Sequence, residues 1–156
     1  SLPPGREVLL ESCIQHFCAS HFIEDPADKC ANRCQRRQCR TQTTKVGKWP
    51  PALVLHLKRW LDSGFPGVYL KEHRHVHFPT VLRDLPGFHG PPYHLRSVLV
   101  HHGAAGGGHY TAFVRGVLDN MWYHCNDDSA PKQVTDVAAE LLAREAYLLI
   151  YEHDGG

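Results

Sequence analysis

The sequence predicts an α+β domain built on a mostly antiparallel sheet with flanking helices. Three observations lead there. The last third carries four stretches that look like strands, 93–102, 109–115, 121–125 and 145–152, separated by turn-forming residues. An aliphatic run, "ALVLHLKRW" at 52–60, supplies a fifth strand. Only 6–18 and 134–145 carry an apolar period of helical spacing.

Taken in order, "REVLLESCIQHFC" (6–18) places Leu9, Leu10, Cys13, Ile14 and Phe17 on one stripe, an amphipathic helix with Cys13 in its buried face. Residues 28–40 have no apolar period and hold Cys30, Cys34 and Cys39 among five Arg and Lys, so they read as a loop or knuckle. The run 52–60 has almost no polar break before His56, as expected of a strand covered on both faces. Residues 61–92 are rich in Gly, Pro and His and read as long connections, with "HVHFP" (75–79) briefly extended. In 134–145, Val134, Val137, Leu141 and Leu142 mark a helix capped by Thr135 or Asp136.

Composition narrows the function. At 156 residues and 42% hydrophobic content the chain suits one compact domain, and 17 basic against 16 acidic residues give no polyelectrolyte character, so nucleic acid is not an expected partner. No apolar run reaches the length of a membrane span, and "SLPPGREVLL" lacks a basic segment followed by an apolar core. No membrane is expected, and the location expected is intracellular, cytoplasmic or nuclear. The loop-like start without Met suggests a piece of something longer. Six cysteines at irregular spacing, in a chain of this size, suit metal, redox or packing roles before disulfides. The thirteen histidines form no HxxxH or HExxH pair on a helical pattern, so no histidine metal site is expected.

The stretch "HHGAAGGGHYTAFVR" (101–115) carries the chemistry. A loop with four glycines can bring backbone amides close to a ligand or take positive φ without steric penalty. It also suits a flexible hairpin with a strand-initial histidine. The next hairpin favours a site: "RGVLDN" turns, "MWYHC" returns beside "HYTAFVR", and Asn126 and Asp127 should come back level with His109. A histidine facing an amide or carboxylate across neighbouring strands is the orienting half of a nucleophilic triad. Alternation puts His109, Thr111 and Phe113 on one face and Tyr110, Ala112 and Val114 on the other.

"LVLHLKRW" (53–60), "VHFP" (76–79), "YHLRSVLVHHGAAGGGHYTAFVR" (93–115), "WYHCNDDSA" (122–130) and "AYLLIYE" (146–152) together resemble the C-terminal half of a ubiquitin-specific protease catalytic domain. These are papain-like cysteine peptidases that cleave after ubiquitin's C-terminal glycine. The resemblance covers nearly all of residues 1–156 and implies the palm and fingers portion of that fold. It implies that His109 is the general base, Asn126 the third triad member and Asp127 a residue supporting catalysis or the oxyanion. It also implies that Gly106, Gly107, Gly108 and Tyr110 lie against the ubiquitin tail, with ubiquitin and ubiquitinated proteins as partners.

Departures from the family pattern are as informative. The family's Gly-x-Thr-Cys-Tyr nucleophile box is absent, and none of the six cysteines is a convincing substitute. Without a thiolate, His109 has nothing to deprotonate. The expectation is an enzyme whose nucleophile lies elsewhere in a longer chain, with a catalytically inactive ubiquitin-binding or scaffold module as the alternative. Trp60, Cys125 and Ala130 stand where the family tends to have Phe, an aromatic residue and Val. The family's zinc ribbon uses two CxxC pairs, whereas here "CANRC" (30–34) is spaced CxxxC, with Cys39 nearby and no second pair. A relic ribbon held by packing is expected rather than bound zinc, and no cofactor is expected. The basic run "NRCQRRQCR" has no interleaved aromatics and suits acidic protein surface better than nucleic acid.

Overall fold

The computed structural model of the chain describes residues 8–23, 40–83, 85–87 and 89–153. Numbered in chain order, the strands begin with β1 (Val8–Leu9), followed by the one α-helix of the described residues, α1 (Leu10–Cys18). Then come β2 (Ser20–Ile23), β3 (Arg40–Thr43), β4 (Ala52–His56), β5 (Trp60–Asp62), β6 (Tyr69–Lys71), β7 (Val76–His77) and β8 (Val81–Leu82). The last third holds β9 (Tyr93–Ala104), β10 (Gly107–Arg115), β11 (Trp122–Cys125), β12 (Lys132–Gln133), a π-helical turn (Ala138–Leu142) and β13 (Ala146–Glu152). The main sheet has the order β12–β11–β10–β9–β13–β4, and β8 also pairs with β9. Every pairing in it is antiparallel. Separate from it are the parallel pair β1–β7 and the hairpins β2–β3 and β5–β6.

Strand β9 is the spine because its sequence suits burial along most of its length. Tyr93, Leu95, Val98 and Val100 are buried, in one core cluster with Phe113, Trp122, Leu149 and Tyr151 of the same sheet. Leu10 and Ile14 of α1 and Leu141 of the π-helical turn complete that core. Each such side chain contributes about 1.5–3 kcal/mol by leaving water. Strand β13 slips register at Tyr147, with Ala146 opposite Val100 but Leu148 opposite Leu99. The bulge re-aims the extra residue. The Tyr147 ring joins those of His56, Trp60, His101 and Tyr110 in one cluster.

Several elements differ from their sequence expectation. The helix begins at Leu10 rather than residue 6, because Val8 and Leu9 pair with Val76 and His77 instead. Of the expected stripe, Leu10 and Ile14 are buried and Cys13 packs against the core, while Leu9 and Phe17 are 53% and 61% exposed. The run 52–60 is two elements. Strand β4 stops at His56 and occupies the sheet edge, with Leu53 buried and Val54 56% exposed, so it is not covered on both faces. Residues 61–71, expected as connection, join Trp60 in the β5–β6 hairpin. The helix expected over 134–145 contracts to the π-helical turn. There Asp136 Oδ1 accepts from the Ala139 N–H, and Glu140 Oε1 accepts from the N–H groups of Thr135 and Asp136. No helix among the described residues is long and apolar enough to cross a membrane.

Candidate active site

Strands β9, β10 and β11 form a meander that places one polar row at the end of a buried face. Thr111 and Phe113 of β10 are 6% and 3% exposed, and period-two alternation puts His109 on the same face where it emerges from the core. His109 pairs with His102 of β9, and the last pair with β11 joins Ala112 to Cys125. Asn126 therefore lies one step past the ladder and reaches His109 diagonally rather than level with it.

The contact is short. His109 Nε2 stands 2.6 Å from Asn126 Oδ1. An amide oxygen only accepts, so Nε2 carries the hydrogen and Nδ1 of the neutral ring holds the free lone pair. Asp127 Oδ2 is 3.8 Å from Nδ1, positioned to pair with the ring once that nitrogen is protonated. Asp127 takes φ +43° in a turn closed by Ser129 N–H donating to the Asn126 carbonyl at 3.0 Å. Such a φ is uncommon outside glycine and is tolerated best by Asn and Asp. The tight turn sends the chain away immediately after Asn126 and leaves the carboxylate at the ring.

The glycine stretch is not a long loop. Strand β9 continues to Ala104 and β10 starts at Gly107, so only Ala105 and Gly106 form the turn. Two glycines are required by sterics. Gly103 has φ +105°, and a Cβ at Gly108 would stand 2.2 Å from the His102 carbonyl oxygen and 2.3 Å from His101 Nε2. Gly106 and Gly107 have open space where a Cβ would stand. Tyr110 lies on the opposite face from His109, 47% exposed and 4.7 Å between ring centroids from His101. The structure thus brings His109, Asn126 and Asp127 together and leaves Tyr110 apart from them.

No thiol among the described residues stands beside the imidazole. Cys13 and Cys18 line an apolar groove between α1 and β4, and β4 is three strands from β10, about 14 Å across the sheet. Burial pushes the Cys13 thiol up, which disfavours the thiolate. Cys125 adjoins Asn126, but alternation along β11 puts it on the opposite face. Cys30, Cys34 and Cys39 lie outside the described residues, and among the described residues no three His, Cys, Asp or Glu side chains gather as a metal requires.

One neighbour escaped the sequence reading. His102 of β9 lies nearly parallel to His109, with centroids 6.4 Å apart and planes at 28°, and its Nε2 is 3.0 Å from Thr111 Oγ1. Only the register singles it out: a shift of one residue would have brought His101 or Gly103 beside His109 instead.

An antiparallel sheet with few helices, holding an imidazole against a carboxamide where two hairpins end, makes this a papain-like α+β domain. Comparisons with known proteins agree. The family model described as ubiquitin carboxyl-terminal hydrolase matches residues 27–151, and the chain belongs to that family. It is 35% identical over 159 residues to Ubiquitin carboxyl-terminal hydrolase 15 of Rattus norvegicus and 34% identical to that of Homo sapiens. Each match covers 96% of this chain and 16% of the relative, so the chain spans a small part of the proteins it resembles. Among solved structures, that of a yeast SAGA DUBm superimposes with a TM-score of 0.76 at 26% identity, covering 96% of this chain and 35% of the other. A SAGA DUB module bound to monoubiquitin gives 0.70 at 26% identity, covering 95% and 33%.

Proposed function

We propose that the chain carries the base-bearing part of a cysteine-type deubiquitinase, which cleaves the peptide or isopeptide bond after the C-terminal glycine of ubiquitin. The observation that carries this reading is the 2.6 Å contact from His109 Nε2 to Asn126 Oδ1, in a chain whose family is the ubiquitin carboxyl-terminal hydrolases. His109 Nδ1 takes the proton of a cysteine thiol held by sequence other than these 156 residues, and the thiolate attacks the glycine carbonyl. The same nitrogen passes the proton to the departing lysine amine. It then deprotonates a water that hydrolyses the thioester. Asn126 holds the tautomer throughout, and Asp127 stands by the protonated ring. Gly106 and Gly107, with nothing where side chains would be, leave room for a narrow Gly-Gly tail. Gly108 and Tyr110 flank that passage. The partners are ubiquitin and ubiquitinated proteins in the cytoplasm or nucleus.

The test uses the longest natural protein containing these residues and a fluorogenic amide of the ubiquitin C-terminus. His109→Ala should abolish turnover while ubiquitin still binds, and Asn126→Ala should lower kcat by on the order of a hundredfold or more. Retained turnover in His109→Ala removes this residue from the mechanism. A second reading, a module that binds ubiquitin without cleaving it, is favoured by the absence of a thiol beside His109 among the described residues. Ubiquitin binding by that longest chain, with no reaction towards a ubiquitin C-terminal electrophile, would establish it.

A further inference from the structure

We propose that His102 is a positioning residue for the base: a second, neutral imidazole that backs the His109 ring against Asn126 and ties the protonation of the two rings together. The inference rests on the reading of His109 as base given above.

Its ground is the row formed across three strands. His109 has Asn126 at Nε2 on one side and the His102 ring on the other. A ring held by one hydrogen bond alone can swing about it. A nearly parallel second ring on the paired residue, its centroid 6.4 Å away, borders the space into which it would swing. His102 is in turn fixed through Nε2 by Thr111, whose hydroxyl is buried and whose β-branched side chain is stiff at χ1. The support therefore passes from the buried part of β10, through Thr111 and His102, to the exposed base on the same strand.

Charge separates the roles of the two rings. Around His102 stand His109 on β10, His124 on β11, Lys71 on β6 and Arg144 before β13, with His101 beside it in the chain. Glu145 is the carboxylate of that cleft, and it is engaged by Lys71 at 3.7 Å and His73 at 3.2 Å. Partial desolvation, His109 and these cations all hold the His102 imidazole below its usual range. His109 instead faces a carboxamide and, at Nδ1, the Asp127 carboxylate. As the base takes its proton, its neighbour remains uncharged, and two adjacent imidazolium ions are avoided.

The measurement is a titration of the two imidazole Cε1–H signals by NMR in the longest natural protein, together with kcat and KM across pH. In the unmodified protein the His102 signal should titrate below the ordinary imidazole range, with a second inflection where the neighbouring ring titrates. His102→Lys places a fixed charge at the ring and should lower the His109 midpoint by on the order of one pH unit. The limb of the rate profile assigned to His109 should move with it. His102→Ala should lower kcat on the order of tenfold with KM within about twofold, and His102→Phe, which restores a ring face, should recover most of that loss. A His109 midpoint unmoved by His102→Lys, or kcat unchanged in His102→Ala, overturns the proposal. Because the titration does not depend on turnover, the coupling stands or falls separately from the role of His109 as base. The unmodified protein supplies that reading even if a variant fails to fold.

Discussion

Arg59 Nε donates to the Ala146 carbonyl at 2.7 Å, joining the segment after β4 to the first residue of β13 across 87 positions of chain. Nη1 of the same guanidinium donates to the carbonyls of Glu72 and Arg74 at 2.9 and 2.8 Å, and the side chain is fully buried. Three chain segments meet on one cation. Arg59→Ala should cost about 3–5 kcal/mol, because three carbonyls lose their donor beside a fully buried side chain. Arg59→Lys keeps the charge but not the planar fork, and should fall between the two. Urea unfolding measures both; a loss under about 1 kcal/mol for Arg59→Ala would show that the three acceptors find other partners.

Gly107 and Gly108 are neighbours with opposite demands. An added Cβ at Gly108 meets the His102 carbonyl oxygen at 2.2 Å, so Gly108→Ala must part β9 from β10 and should destabilise the hairpin by several kcal/mol, about 2–4. Gly107→Ala meets nothing within 4 Å and should leave the melting temperature nearly unchanged. If Gly107 borders the passage for the ubiquitin tail, the same variant should nonetheless lose turnover through a raised KM. Unimpaired KM in Gly107→Ala would place the tail elsewhere.

Asp127 offers a way to separate backbone from charge. Its φ of +43° suits Asn nearly as well as Asp, and Ala less well. Asp127→Asn should hold stability within about 0.5 kcal/mol, while Asp127→Ala should cost about 1 kcal/mol. Both remove the carboxylate 3.8 Å from His109 Nδ1, so a role for that charge predicts equal losses of turnover in the two variants. Turnover that instead follows stability would assign Asp127 to the turn alone.

Alkaline pH should find a specific weakness. Burial pushes the Tyr151 hydroxyl well above the usual phenol range, and the same O–H donates to the Pro79 carbonyl at 2.7 Å. A group raised in the folded state contributes its full stability below the unfolded value, about 10 for tyrosine, and loses it as pH climbs beyond that point. Urea midpoints should therefore fall from about pH 10 upward. Tyr151→Phe should lower stability at neutral pH by about 1–2 kcal/mol through the lost hydrogen bond, then show a shallower alkaline decline. Parallel curves for the two proteins would contradict this.

The sheet was legible where strands are long. Segments 93–102, 109–115, 121–125 and 145–152 correspond to β9, β10, β11 and β13, and β9, β10 and β13 are long enough to declare their period. The β5–β6 hairpin was not legible: its strands have three residues each, too few to show a period, and "DSGFPG" between them reads as loop. Helical spacing at 134–145 did mark buried positions, since Val134 and Leu141 are 4% and 0% exposed, but Asp136 and Glu140 satisfy the local N–H groups within one turn and the chain leaves for β13. At the site, hairpin logic foretold the approach of Asn126 to His109 because both flanking turns are local. Which partner β9 presents depends on register, which spacing alone does not settle.

His102, His109, Asn126 and Asp127 all come from one uninterrupted meander, whereas the β4–β13 edge joins positions 92 to 100 residues apart. Closing short turns costs little chain entropy, and closing the long one costs more. During synthesis or refolding the corner that holds His109 and Asn126 can therefore take shape ahead of the far border of the sheet, and strain or partial melting at that border should reach it last.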